Sequence, residues 1–151
     1  MAGFIVMLVA CPAGAGEVEA RDPALGTMGW KEFSFSNIDP AEFTRLDNET
    51  IRVRSRDSAS MLFRELGQPE RDRRFLKWRW RVDKAVPPTD LREAGKDDRD
   101  ISIHLWFPQD EKGGLFSALG RAVAKAMGAP TTGKAISYIF GGRGERGARL
   151  S

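Results

Sequence analysis

The chain has 151 residues, of which 41% are hydrophobic and 30% are charged, and this composition is typical of a single globular domain. The formal net charge of +3 is too small to indicate a nucleic-acid-binding protein. One His and one Cys exclude zinc ribbons, a disulfide framework and Cys–His catalysis within this chain.

Residues 1–16 have the pattern of an export leader. Residues 4–10 form an apolar run too short to cross a bilayer, and Ala13-Gly14-Ala15 follows as a signal-peptidase site. The residues that end at Cys11 fit a lipobox as well, in which case Cys11 is acylated and anchors the protein. An N-terminal strand or a buried helix is the third interpretation. Either leader predicts a periplasmic protein or an outer-membrane lipoprotein.

Residues 17–29 are polar and predict an extended lead-in, after which apolar and polar side chains alternate as they do in strands. Asp47-Asn48-Glu49 predicts the turn of a hairpin. In the clearest pattern Trp78 and Trp80 alternate with basic residues, which predicts a half-buried strand with both rings in the core. The predicted strands cover residues 33–35, 43–46, 50–56, 59–66, 75–82, 101–107 and 135–140.

One helix is predicted over residues 115–127, where apolar residues recur at helical spacing. Residues 143–151 are rich in Gly and Arg and predict a flexible basic tail. Many short strands with one helix predict that residues 30–142 form a mainly β domain. The expected architecture is an antiparallel, jelly-roll-like β-sandwich with one short helical insertion.

Several segments resemble motifs of one bacterial family, domain of unknown function 3047. They are Ser58-Ala-Ser-Met-Leu62, Leu76-Lys-Trp-Arg-Trp-Arg-Val82, Asp97-Asp98, the strand that ends in Phe107, and Ile136 to Gly142. The resemblance implies an exported, sandwich-like domain without an established activity. Members of that family continue past this point with further strands, so the resemblance also implies a C-terminally truncated copy and an incomplete sandwich.

The acidic loop before residue 101 is a candidate cation site. Its carboxylates are the oxygen ligands that Ca²⁺ prefers, and the candidate ligands are Asp90, Asp97, Asp98 and Asp100. Arg92, Lys96 and Arg99 are interleaved with these acids, so a loop held by salt bridges is the alternative.

Basic residues alternate with apolar ones in two predicted strands, so each strand has one cationic face. If the two strands are neighbours, Arg54, Arg79 and Arg81 form a cationic plate beside His104 and Trp106, which are the candidate ligand-binding residues. Guanidinium groups suit sulfate, carboxylate or phosphate, and aromatic rings stack on sugars. A merely solvated face is the alternative.

These features favour non-catalytic binding of a carbohydrate-like or anionic ligand, with a polysaccharide or another anionic envelope component as the partner. One alternative is a glycoside-hydrolase-like or other hydrolytic domain that uses acids of residues 90–100. Another is an envelope structural protein without a small ligand. Apart from Ca²⁺ no cofactor is expected, no nucleic-acid partner is expected, and membrane contact is expected only through a lipid anchor.

Overall fold

The computed structural model describes residues 4–9, 15–35, 37–90, 92, 100–108, 133–145 and 147. In these ranges the elements are, in chain order, β1 (Phe4–Val9), β2 (Ala15–Glu19), α1 (Pro23–Gly26), β3 (Lys31–Phe35), β4 (Glu42–Arg45), β5 (Ile51–Arg54), β6 (Ser60–Glu65), α2 (Gln68–Arg71), β7 (Ile101–Pro108) and β8 (Gly133–Phe140). The prediction of a mainly β fold is confirmed. The predicted helix over 115–127 lies outside the described residues, as do Cys11, Asp97 and Asp98.

The main layer is a six-stranded antiparallel sheet with the strand order β2-β3-β6-β1-β7-β8. Strand β1 lies between β6 and β7, where Val6 is opposite both Phe63 and His104. This arrangement matches the N-terminal strand that the sequence left open as an alternative to a leader. The leader itself stays a prediction.

The register assigns the side chains of this sheet to two faces. One face carries Glu32, Leu62, Ile103 and Tyr138. In the register Glu32 is opposite Leu62, and Ile103 is opposite Tyr138. Position 7 of β1 connects the two pairs, because it is opposite both Leu62 and Ile103. We call this face the hairpin face, since the β4–β5 hairpin packs on it. Phe33, Met61, His104 and Ser137 lie on the opposite face, which we call the phenylalanine face.

The core of the hairpin face is a cluster of Ala20, Leu25, Ala41, Phe43 and Leu62. Ile51 and Val53 of β5 pack on this cluster, while Arg52 and Arg54 point outward and are exposed. The hairpin turn is where the sequence predicts it, because the Asp47 carboxylate accepts the Glu49 N–H at 2.8 Å. The hairpin is a second layer over one sheet face, an arrangement consistent with the predicted sandwich.

Residues 75–82 form no strand, contrary to the sequence prediction. The side chains of this segment nevertheless alternate in direction, as the sequence pattern predicts. Trp78 packs on Tyr138 and Trp80 packs on Phe140, with ring centroids 4.6 and 5.6 Å apart, so both indoles face the hairpin face of β8. Side-chain packing rather than a hydrogen-bonded ladder holds this segment, and both Trp rings are half-buried instead of lying in the core.

The segment predicted as an extended lead-in contains the end of β2 and the helical turn α1. Asp22 caps α1, and Pro23 occupies the first helical position, where its missing N–H costs nothing. Among the described residues no helix has the length and apolar character that crossing a membrane requires.

Candidate ligand-binding site

A cavity of about 310 Å³ opens where α1, the hairpin turn, β6 and residue 77 meet. Its volume lies at the lower end of the range for small-ligand pockets. One part of its wall is apolar and consists of Leu25, Met28 and Ile51, and another part is the aromatic side chain of Trp30. The charged side chains that line it are Arg45, Asp47, Glu49, Arg64 and Lys77.

Trp30 and Arg64 form one wall of the cavity. The Arg64 guanidinium carbon lies 5.3 Å from the centroid of the Trp30 ring, within cation–π range. Arg64 also forms a two-bond ion pair with Glu70, with one bond of 3.2 Å between Nη1 and Oε2. Hydrogen bonds from Arg64 lower the pKa of Glu70, with the Gly67 N–H as a further cause. Arg64 is therefore fixed in place by Glu70 and Trp30.

Arg45 reaches the cavity from the end of β4. Its guanidinium donates to the carbonyl oxygen of Asp47 at 3.0 Å and to the side-chain oxygen of Asn48. The Glu49 N–H and the Thr50 hydroxyl lower the pKa of Asp47, because that carboxylate is used to hold the turn. The direct hydrogen-bond partners of the Arg45 guanidinium are thus neutral oxygens, while its charge also interacts with the carboxylates of Asp22 and Asp47.

Asp22 fixes the position of two cavity walls relative to each other. One carboxylate oxygen accepts the Ala24 N–H at 2.9 Å and the other accepts the Arg45 N–H at 2.7 Å. The backbone N–H groups of Arg45 and Ala24 lower the pKa of Asp22. Asp22 thereby joins α1 to β4. Asp before Pro is a helix-start signal, so the N-cap could have been predicted from the sequence, whereas the bond from Asp22 to β4 could not.

Lys77 lines the cavity and begins a basic row that continues along the outside of the molecule. Because Trp78 and Trp80 face the sheet, Lys77, Arg79 and Arg81 face solvent, and all three are exposed. Arg81 forms an exposed ion pair with Asp83 at 2.8 Å. The charge of the row is therefore partly compensated at Arg81, whereas Lys77 and Arg79 form no ion pair with a described acidic residue.

A second basic row starts at the same cavity. Thr50 and Ile51 line the cavity, and the outward side chains of the strand that follows are Arg52 and Arg54. Arg54 lies opposite Glu42 in the β4–β5 register, and opposite charges at facing positions attract each other. The outer, solvent-exposed side of the segments that pack on the hairpin face thus carries Arg54, Arg79 and Arg81.

His104 and Trp106 lie on the phenylalanine face, opposite to the face that carries the basic rows. Their predicted place beside the arginines is therefore wrong. Trp106 is 4% exposed and is a buried ring rather than a stacking surface. His104 lies between two hydroxyls, with Nε2 2.9 Å from Ser102 Oγ and Nδ1 2.7 Å from Ser137 Oγ. Ser137 comes from another strand, so no local pattern signals this contact.

The two described acids of the candidate Ca²⁺ site bind protein groups. Asp90 accepts two hydrogen bonds from the Arg92 guanidinium, which lower the pKa of Asp90. Asp100 accepts the Val86 N–H at 2.6 Å and holds that part of the loop. Within the described ranges, no group of three or more His, Cys, Asp or Glu side chains could hold a metal ion.

No curated protein and no solved structure matches the chain. Residues 28–151 match the family described as "Protein of unknown function (DUF3047)". The matched range includes most of the cavity-lining residues and both basic rows, and it confirms the resemblance seen in the sequence. The chain belongs to this family of proteins of unknown function.

Proposed function

We propose that the protein binds an anionic carbohydrate without changing it chemically. The observation that carries the proposal is the cavity with Trp30 as one wall and Arg45 and Lys77 at its sides. An aromatic ring suits the apolar face of a sugar, and the cations suit its carboxylate or sulfate groups. The cavity has room for about one sugar residue on the volume scale of small-ligand pockets.

The two basic rows extend this proposal from a single sugar to a polymer. Both begin at cavity-lining residues, so a chain with one unit in the cavity can place its next anionic units on Arg79 and Arg81 or on Arg52. Contacts of this kind are exposed and are screened by salt within about 8 Å at physiological ionic strength. We therefore expect binding that weakens as salt is raised.

Export is part of the same proposal and rests on the sequence pattern of residues 1–16 alone. A protein of the cell envelope meets anionic polysaccharides as polymers, which suits two rows that lead away from one cavity. The absence of a closely spaced set of acids, such as Glu-x-Asp-x-Glu on one strand, favours binding over hydrolysis.

The test is retention on heparin and alginate columns across a salt gradient. The double variant Arg79→Ser/Arg81→Ser should elute earlier than the wild type. The matched control is Arg73→Ser/Arg74→Ser, which removes the same formal charge from exposed positions that do not line the cavity. All four positions are on the surface, so each double variant should fold normally.

A lower elution salt for the Arg79/Arg81 variant than for the control would support the proposal. Equal elution of the two variants would mean that the columns sense only net charge, and would contradict it. Lys77→Gln adds a single change inside the cavity and should weaken binding of a short anionic oligosaccharide in calorimetry. An unchanged affinity in that titration would contradict the cavity as the binding site.

A further inference from the structure

The segment shortly after α2 carries the most exposed large hydrophobic side chain among the described residues. Phe75 is 83% exposed, and its neighbour Leu76 is 39% exposed. In the described part of the chain, Phe75 stacks on no other aromatic ring. Two adjacent exposed apolar side chains, one of them a large aromatic, form a small patch that can insert into an apolar phase.

Positive charge is concentrated around this phenylalanine. Residues 71–84 contain seven Lys or Arg and two acidic residues, a net charge of +5 within a chain whose net charge is +3. Arg73, Arg74 and Lys77 flank Phe75 and are exposed. None of these three forms an ion pair with a described acidic residue.

We propose that Arg73, Arg74 and Phe75 form a docking tip for an anionic phospholipid bilayer, with the phenyl ring inserted among the lipids and both arginines on the headgroups. Negative surface potential attracts basic groups near a membrane, and an apolar side chain adds affinity that a purely ionic contact lacks. The arginine stems can lie along the interface while their charged ends stay in water.

Of three other occupants, the first two fit the tip less well. A second copy of the chain would bring the same arginines against each other, so like charges would repel. A water-soluble polyanion would satisfy the arginines but offers no apolar phase for Phe75. Single-stranded nucleic acid could stack bases on the ring, and this outcome is separated from lipid binding by the experiment.

The inference is separable from the proposed carbohydrate site, because the tip consists of other residues, although Lys77, Arg79 and Arg81 add to the positive charge around it. Arg73, Arg74 and Phe75 do not line the cavity, and Arg79 and Arg81 belong to the row that leaves it. The two pairs of arginines can therefore serve as controls for each other. Failure of the carbohydrate proposal leaves this one standing, and the reverse also holds.

The experiment is co-sedimentation of the full chain with vesicles made of phosphatidylglycerol and phosphatidylcholine in equal parts. Vesicles of phosphatidylcholine alone are the lipid control. The Phe75→Ser variant should partition about tenfold more weakly than the wild type, and the Arg73→Ser/Arg74→Ser variant about 30-fold more weakly. The Arg79→Ser/Arg81→Ser variant, with the same formal charge loss, should be affected less than Arg73→Ser/Arg74→Ser.

Phe75→Ser replaces an exposed side chain, so its melting temperature should equal that of the wild type and any loss of binding can be assigned to the ring. Equal partitioning of Phe75→Ser and wild type would overturn the insertion of the ring. Equal losses for the two arginine pairs would overturn the assignment of the tip. Binding to single-stranded DNA that depends on Phe75, without binding to the vesicles, would replace the bilayer by nucleic acid.

Discussion

Strand β1 is the connection between the two halves of the main sheet, because it alone pairs with both β6 and β7. A proline at position 6 tests this role. Proline has no N–H for the ladder, and its ring is tolerated in sheets only at edges, strand starts and bulges. The Val6→Pro variant should therefore be strongly destabilised, whereas Val6→Ile keeps the N–H and should not be.

The size of the effect follows from the position of Val6. It lies inside a strand that is paired on both sides, opposite Phe63 and His104. One lost backbone hydrogen bond leaves an unsatisfied carbonyl that costs about 1–3 kcal/mol, and displacement of the strand adds to this. A total of about 3 kcal/mol lowers the melting temperature of a protein of this size by about 6–12 °C.

The measurement is thermal unfolding of the full chain, produced in the cytoplasm and checked by intact mass to begin at Met1. Equal melting temperatures for Val6→Pro and Val6→Ile would refute the six-stranded sheet. The same unfolding measurement, made on a protein produced with export, also tests the predicted leader. A periplasmic product that begins near Gly16 and unfolds at the temperature of the full chain would show that residues 4–9 are dispensable.

Two further predictions concern stability. Leu62 is fully buried in the cluster under the hairpin, so Leu62→Ala should lower the free energy of unfolding, measured in urea, by about 2–5 kcal/mol. The control is Leu46→Ala, at a side chain that is 48% exposed, which should change it by about 0.5 kcal/mol or less. Equal effects of the two substitutions would contradict the hairpin packing. Four carboxyl groups have a lowered pKa in the folded chain: Asp22, Asp47, Glu70 and Asp90. Their ionised forms stabilise the folded chain fully above about pH 5, and this stabilisation is lost as the pH falls through the folded pKa values. The free energy of unfolding should therefore fall between about pH 5 and 3, and the Asp22→Asn variant should show a shallower fall, while an unchanged slope would contradict the capping role of Asp22.

Local alternation predicted the direction of side chains better than it predicted the strands. It placed Ile51 and Val53 inward, and it placed Trp78 and Trp80 on the apolar side. An alternating pattern states only that one side of an extended segment is covered. The apolar side of β5 packs on the core, and β5 is also hydrogen-bonded to β4. The apolar side of residues 75–82 packs on the aromatic rings of β8, but the segment forms no strand. An alternating sequence is compatible with either arrangement.

The cavity was beyond local reasoning because its parts are distant in the chain. Trp30 and Arg64 meet because β3 pairs with β6, where Lys31 is opposite Phe63, and Lys77 joins them from a segment further along the chain. Nothing in the sequence near Arg64 signals its place over the indole. The face of His104 relative to the arginines was also unknowable without the strand order. The signal that was available and unused is Asp22-Pro23, which marks a helix start at a wall of the cavity.

The central place of the first strand also sets the order in which the protein can fold during synthesis. Phe4 pairs with Glu65 and with Trp106, so β1 leaves the ribosome long before either partner exists. At about 5–20 residues per second, the wait for β7 lasts roughly 5–20 s. β6 emerges earlier, after roughly 3–12 s, and until then the apolar nascent segment has no sheet strand to pair with. During that time it is open to other binders of apolar nascent chains, a chaperone or the export machinery included.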